Sequence, residues 1–164
     1  MSGSIFKAGI FNKKVALVTG GGSGIGKAIS QELLSLGATV VIASRKKERL
    51  AGAVNQLNSA GGPGHASSVE INIRDEDSVT KGVSEVIAKY GKIDYLVNNG
   101  GGQFPSEAAA IRPKGWKAVI DTNLNGTWFV TQAVYNQNPE PKRGMAVVNV
   151  IADYFNGFPG MAHT

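Results

Sequence analysis

Thr19-Gly20-Gly21-Gly22-Ser23-Gly24-Ile25-Gly26 is the stretch on which the fold turns. An apolar run at 15–18 precedes it, and helical spacing follows: Ile25, Ile29, Leu33 and Leu36 recur at intervals of four, four and three, one face of a helix. Gly37 then closes that helix in the C-cap manner. Glycines allow a tight turn and a close approach of backbone to an anion, and the amides of a helix's first turn point at negative charge. Strand, glycine turn and helix in this order predict a pyrophosphate cradle made by Thr19, Gly20, Gly22, Ser23, Gly24, Ile25 and Gly26. Gly24 and Gly26 are expected to tolerate no β-carbon. The alternative is a glycine turn that merely packs strand on helix.

Working outward, short runs rich in Val and Ile fall at 39–43, 67–73, 95–97 and 146–151. With 15–18 they mostly lack strict alternation, as strands covered on both faces do. Helical spacing lies between them: Leu50, Val54 and Leu57; Val79, Val83, Val86 and Ile87 before Gly91; then Trp116, Val119, Ile120, Leu124 and Val130 on one long helix ending before Pro139-Glu140-Pro141. The alternation predicts right-handed parallel crossovers and an α/β, doubly wound, Rossmann-like sheet of five strands in the order 3-2-1-4-5. A full sheet of this kind needs a further helix and strand, so the fold is expected to be incomplete at its C-terminal side. The fifth strand should be partly bare, and residues 1–164 should be one dinucleotide-binding domain, the N-terminal part of a longer chain.

Composition narrows the function classes. The chain has 164 residues, 42% hydrophobic and 18% charged, which suits one globular domain with its own core. No apolar run reaches the roughly 20 residues of a membrane span, and the N-terminus carries no secretory h-region. The absence of cysteine excludes disulfides and thiolate metal sites and is compatible with a reducing compartment. The two histidines show no metal-ligand spacing, so no metal is expected. Net charge is +5, yet the densest basic cluster is the short Arg45-Lys46-Lys47, without aromatic interleaving, which argues against nucleic acid and for a small anionic ligand.

Three patterns make the resemblance specific. Thr19-Gly20 with Gly24 and Gly26 reads Thr-Gly-x-x-x-Gly-x-Gly; Asn98-Asn99-Gly100-Gly101 follows the fourth strand; and Asn123-Leu124-x-Gly126 sits in the long helix. Together they resemble the short-chain dehydrogenase/reductase family, with Gly100 where that family usually has Ala. The run Val97-Asn98-Asn99-Gly100-Gly101-Gly102-Gln103-Phe104, with residues 41–46 and Asn72-Ile73-Arg74, is similar to the trans-2-enoyl-CoA and 2,4-dienoyl-CoA reductase branch. The resemblance implies an oxidoreductase of fatty acid metabolism, reducing an enoyl-CoA-like C=C bond when full length. It also implies an acyl-CoA substrate, a homo-oligomer, and a cytoplasmic or peroxisomal setting whose C-terminal signal is not readable from this chain.

Charge selects the cofactor. A carboxylate ending the second strand would bind ribose hydroxyls and repel a 2′-phosphate; this strand ends Ser44-Arg45-Lys46, with two cations and no carboxylate. A guanidinium grips phosphate through two parallel bonds, so NADP is expected. The alternative is a pair of solvated residues opening a helix. Asn72, with Ile73 after it, stands where the family usually binds adenine, or is an ordinary turn residue. The resemblance gives Asn98 a role in holding the central sheet and lays Asn99, Gly100 and Gly101 along the cofactor.

The resemblance makes Asn123 a water-holding residue that kinks its helix and relays protons; otherwise it is a satisfied core amide on the face of Trp116. Beyond the fifth strand the pattern departs. Ala152 lies near the usual Ser, and the usual Tyr-x-x-x-Lys would begin near Thr164, where the sequence stops. Related reductases that protonate carbon often lack that triad, and some place a Tyr directly after the fifth strand. Tyr154 matches that position and Asp153 is a second proton donor, or both are loop residues at a strand exit. His163 is expected at the surface or behind the site. A chain of 164 residues is expected not to turn over alone; the alternative reading is a truncated, noncatalytic nucleotide-binding module.

Overall fold

The β-branched runs pair into a single parallel sheet in the order β3-β2-β1-β4-β5. The computed structural model describes residues 4–139, 144–153, 155, 157 and 159–163. The strands are β1 Val15–Thr19, β2 Thr39–Ser44, β3 His65–Glu70, β4 Tyr95–Asn98 and β5 Ala146–Asn149. The helices are α1 Gly24–Ser35, α2 Lys47–Ser59, α3 Glu76–Tyr90, α4 Pro113–Ile120 and α5 Gly126–Gln137, with a π-helical turn Asp121–Asn125 joining the last two. The expected strand order and fold class are both present.

The period of two explains why β1 and β2 read as continuous apolar runs. Val15 and Leu17 of β1, with Val41 and Ala43 of β2, face a core filled by Val79, Val83 and Val86 of α3 and by Val130 and Val134 of α5. Ala16, Val18, Val40 and Ile42 face the opposite core, filled by Leu34 of α1 and by Leu50, Ala53 and Leu57 of α2. Every residue of β1 is buried because helices cover both its faces. Local signals set the helix ends. Asp75 caps α3 by accepting the Ser78 N–H at 3.1 Å, and Gly91, at φ 79°, ends it in the left-handed conformation.

Four expectations need correction. The third strand begins two residues earlier and stops at Glu70, because residues 71–74 turn out of the sheet into a bend closed by Asn72 Oδ1. On α1 only Ile25 of the expected stripe fails, at 65% exposed; Leu36 is buried and Ile29 and Leu33 pack partly buried against the core, with Gly26, Ser30 and Leu34 buried one position along. The long helix is divided: its π-turn adds a residue to one turn and rotates the faces. Val119 and Val130 are buried as expected, whereas Trp116 and Leu124 are exposed. β5 pairs with β4 from Tyr95↔Ala146 to Asn98↔Asn149, yet all four of its residues are exposed, so it is barer than the partial exposure expected. No helix among the described residues is long and apolar enough to cross a membrane. Pro141 and Glu140, expected to mark the end of the long helix, lie outside the described residues.

Candidate functional site

The carboxyl ends of β1, β2, β3 and β4 open onto one crevice, the place where open α/β sheets bind ligands. Gly20, Ser44, Arg45, Asn72, Ile73, Gly100 and Gly101 line it, seven of the residues expected at a cofactor site. Its far wall is made by Phe104 and by Val119 and Thr122 of the divided helix.

The glycine loop is held from beneath. Thr19 is buried, and its hydroxyl accepts the Asn99 and Gly100 N–H groups at 3.0 and 2.8 Å and faces the Val97 carbonyl at 3.4 Å. The Asn99 amide donates to the carbonyls of Thr19 at 3.0 Å and Gly20 at 3.4 Å. These two expected cofactor residues therefore spend their polar groups on joining the loop after β1 to the loop after β4. A β-carbon on Gly20, whose φ is 65°, would lie 2.9 Å from the Asn99 amide nitrogen. One on Gly26 would lie 2.5 Å from the Gly20 carbonyl oxygen and closer still to Asn99. Gly24 differs from expectation: a β-carbon there meets nothing within 4 Å, and its requirement is the positive φ of 50°.

Ser23 precedes α1 without capping it, and the first turn of α1 holds no acidic side chain. The opening amides of α1 thus have no side-chain acceptor at the cap, which suits an anion at that end. Gly22, Ser23, Gly24, Ile25 and Gly26 form this helix start, beside the crevice rather than in its lining, and Lys46 is likewise an exposed neighbour of it. Arg45 is exposed and, among the described residues, forms no ion pair.

Asn72 Oδ1 accepts the Arg74 N–H at 3.3 Å, and the Asn72 N–H donates to Ser78 Oγ at 3.0 Å. The turn reading and the crevice reading of Asn72 therefore both describe it. Asn98 is buried; its amide nitrogen donates to Asn149 Oδ1 at 2.9 Å and Thr131 Oγ1 at 3.0 Å, linking β4, β5 and α5.

Asn123 lies in the π-turn, and its Oδ1 accepts the Gly102 N–H at 3.0 Å, tying the helix to the crevice wall. Its backbone carbonyl accepts the Thr127 hydroxyl at 2.8 Å. Thr122 and Thr131 bond back in the same way to the carbonyls of Ala118 and Thr127, at 2.7 Å each, a pattern that bends helices. Asp121, at the head of this turn, has its carboxyl held below the usual Asp range by the Lys117 ammonium at 2.6 Å, with smaller help from Asn125 and Arg74.

The expected proton donors fare differently. Tyr154 lies outside the described residues. Asp153 is exposed, accepts the Phe155 N–H at 3.1 Å in its own turn, and is not brought to the crevice lining. His163 is not at the surface: it is 3% exposed, with its ring 4.6 Å from that of Phe104. Neither ring nitrogen has a hydrogen-bond partner among the described residues. The segment that carries His163 is pinned to the crevice wall, since the Ser106 N–H donates to the Gly160 carbonyl at 2.7 Å and Ser106 bridges Met161. Among the lining residues missed from sequence are Arg74, Phe104, Val119 and Thr122. The first two sat within stretches already singled out, but nothing in their spacing marked them as lining.

A glycine turn opening a helix at the carboxyl edge of this sheet is the arrangement of a Rossmann-like α/β domain. The pattern of the short chain dehydrogenase family matches residues 14–162, and the chain belongs to that family. It is 31% identical over 153 residues to a probable 2,4-dienoyl-CoA reductase of Bacillus subtilis, covering 93% of this chain and 59% of that protein. Its fold superposes on a citronellol catabolism dehydrogenase of Pseudomonas aeruginosa with a TM-score of 0.88 at 41% identity, over 98% of this chain and 64% of that one. It superposes also on an actinorhodin polyketide ketoreductase crystallised with NADPH, with a TM-score of 0.78 at 31% identity, over 87% and 55% of the two chains. The chain spans about half the length of the curated relatives it matches.

Proposed function

We propose that the protein at the length of its relatives is an NADP-dependent reductase acting on the conjugated C=C bond of an enoyl-CoA-like thioester. The observation that carries the cofactor reading is the exit of β2, where Arg45 enters the crevice and the strand itself ends without a carboxylate. The residues present fit the group. The uncapped amides opening α1 would hold the pyrophosphate, Arg45 and Lys46 the ribose phosphate, and Ile73 and Gly100 the adenosine, since a β-carbon on Gly100 would already stand 3.3 Å from Ile73. When bound, the nicotinamide supplies the hydride. The chain's own part is to orient it: Asn123 fixes the Gly102 backbone, and the Thr19–Asn99 lock fixes the loops on either side. The proton falls to a residue around Tyr154, with Asp153 as its neighbour, or to one beyond Thr164.

The substrate reading is supported by the dienoyl-CoA reductase relative; the ketoreductase relative makes a carbonyl the competing target. NADPH oxidation should be followed with 2-enoyl-CoA, 2,4-dienoyl-CoA and 3-oxoacyl-CoA thioesters, using this chain and one extended to the length of the relatives. The extended chain should reduce the conjugated substrates and prefer NADPH, and the 164-residue chain should bind nucleotide without turnover. Preference for the 3-oxoacyl thioester would replace the C=C reading, and equal use of NADH would remove the cofactor reading. Saturable turnover by the 164-residue chain would show that Tyr154 or Asp153 suffices.

A further inference from the structure

Parallel β2 and β3 leave the sheet side by side: Ser44 pairs with Glu70, and the Ile71 N–H donates to the Ser44 carbonyl at 3.1 Å. Neighbouring strands lie about 4.8 Å apart, so whatever follows each strand shares one edge of the crevice. After β2 comes Arg45; after β3 comes the turn that ends in Arg74. Both line the crevice, both are exposed, and among the described residues neither has an ion-pair partner within 4 Å.

The base of Arg74 is fixed. Its N–H is held by Asn72 Oδ1, the Asp75 N–H donates to the Asn72 carbonyl at 3.0 Å, and the Asp75 carboxylate is occupied at the start of α3. The nearest carboxylate on the divided helix, Asp121, is held by Lys117 and Asn125 at 2.6 and 3.1 Å, and Arg74 adds only a small lowering influence on it without forming an ion pair. Two guanidiniums with unspent donors, mounted on neighbouring strand exits, raise the positive potential at one place. Such a pair attracts an anion, and a guanidinium on a preorganised turn loses less freedom on gripping a phosphate.

We infer that Arg74 is a specificity-determining residue of this site, gripping the ribose phosphate of the cofactor from the β3 side while Arg45 grips it from the β2 side. The inference rests on the NADP reading above and adds a second cation to it. Arg74 discriminates NADPH from NADH and is indifferent to the nicotinamide end.

The full chain should be titrated with NADPH, NADH, 2′,5′-ADP and 5′-AMP at several salt concentrations, as wild type and as Arg74→Ala, Arg74→Lys and Arg45→Ala. In the wild type the two ligands with a 2′-phosphate should bind more tightly than the two without it. Arg74→Ala should weaken the phosphorylated pair roughly tenfold while changing the other pair by less than about twofold. It should also flatten the salt dependence of NADPH binding, and Arg74→Lys should recover part of the loss. Equal losses on both pairs would place Arg74 against the adenine and overturn the inference, as would no loss on either. A wild type that binds all four alike would instead overturn the NADP reading itself. Because Arg74 is exposed, unchanged circular dichroism should accompany every one of these variants.

Discussion

β4 is hydrogen-bonded on both sides, and its two seams differ sharply. The seam with β1 is fastened at both ends. Where the strands begin, Asp94 accepts the Val15 N–H at 2.9 Å and the ammonium groups of Lys92 and Lys14 at 3.0 and 3.2 Å. Where they end, Thr19 and Asn99 exchange the bonds already described, and helices bury the residues between. The seam with β5 has the same parallel register but exposed side chains, and its chief side-chain tie is Asn98 to Asn149. Strand pairing alone therefore does not make a core. Cover on the faces supplies the burial, and closure of the ends fixes the loops that carry the site.

The largest expected effect lies in the covered strand. Leu17→Ala should cost about 2–5 kcal/mol in urea unfolding, as a fully buried leucine does. A cost near that of an exposed residue would end the comparison. Next is Gly26→Val. It should weaken NADPH binding by roughly a hundredfold or more while far-UV circular dichroism stays close to wild type, because its β-carbon strikes the loop held by Asn99. Retained affinity would show that the loop can yield.

Thr19→Val leaves the Asn99 and Gly100 N–H groups without their shared acceptor and should cost about 2 kcal/mol of stability. Asp94→Asn tests the opposite end and should cost about 1 kcal/mol at neutral pH. Burial pushes the Asp94 carboxyl up, but the Val15 N–H, Lys92 and Lys14 outweigh it and hold the group below the usual Asp value of 3.8. A depressed folded-state pKa stabilises the native chain fully above the ordinary Asp range and loses that stabilisation as pH falls through the depressed value. The gap between wild type and Asp94→Asn should therefore close on acidification; a gap constant down to strong acid would show that the carboxylate charge contributes nothing. The smallest effect is expected on the bare strand: Val148→Ala should change stability by less than about 0.5 kcal/mol, measured beside Leu17→Ala.

The same contrast explains what could be read from sequence. The strand order and the two helix stops at Gly37 and Gly91 were legible, because each rests on a local rule: apolar runs of strand length, helical spacing, and glycine where φ is positive. Arg45 was legible because strand exits form the crevice in this class of sheet. The break in the long helix was legible only as the kink at Asn123 that the family resemblance implies; its π geometry was not, since Asn123-Leu124-x-Gly126 spells a helix either way and the threonine back-bonds depend on three-dimensional placement. Assigning Trp116 to the core failed for that reason. Of the two places open to His163 the structure takes the one behind the site, against Phe104, and sequence could not choose it because the burial comes from pairing of a distant segment with Ser106, to which no local spacing points. Arg74 escapes a sequence reading, because the crevice it shares with Arg45 exists only once β2 and β3 are paired.

The π-turn has a practical consequence. Both tryptophans of the chain stand on the helix it divides, Trp116 before it and Trp128 after it, and both are about half exposed. Trp116 follows Gly115, against which the Phe104 ring of the crevice wall is packed. The intrinsic emission of this protein is thus gathered on one helix beside the crevice, and indole emission overlaps the absorption of a reduced nicotinamide. Energy transfer from these indoles becomes a built-in optical gauge of occupancy, and replacing Trp128 with Phe would leave Trp116 as its single lamp.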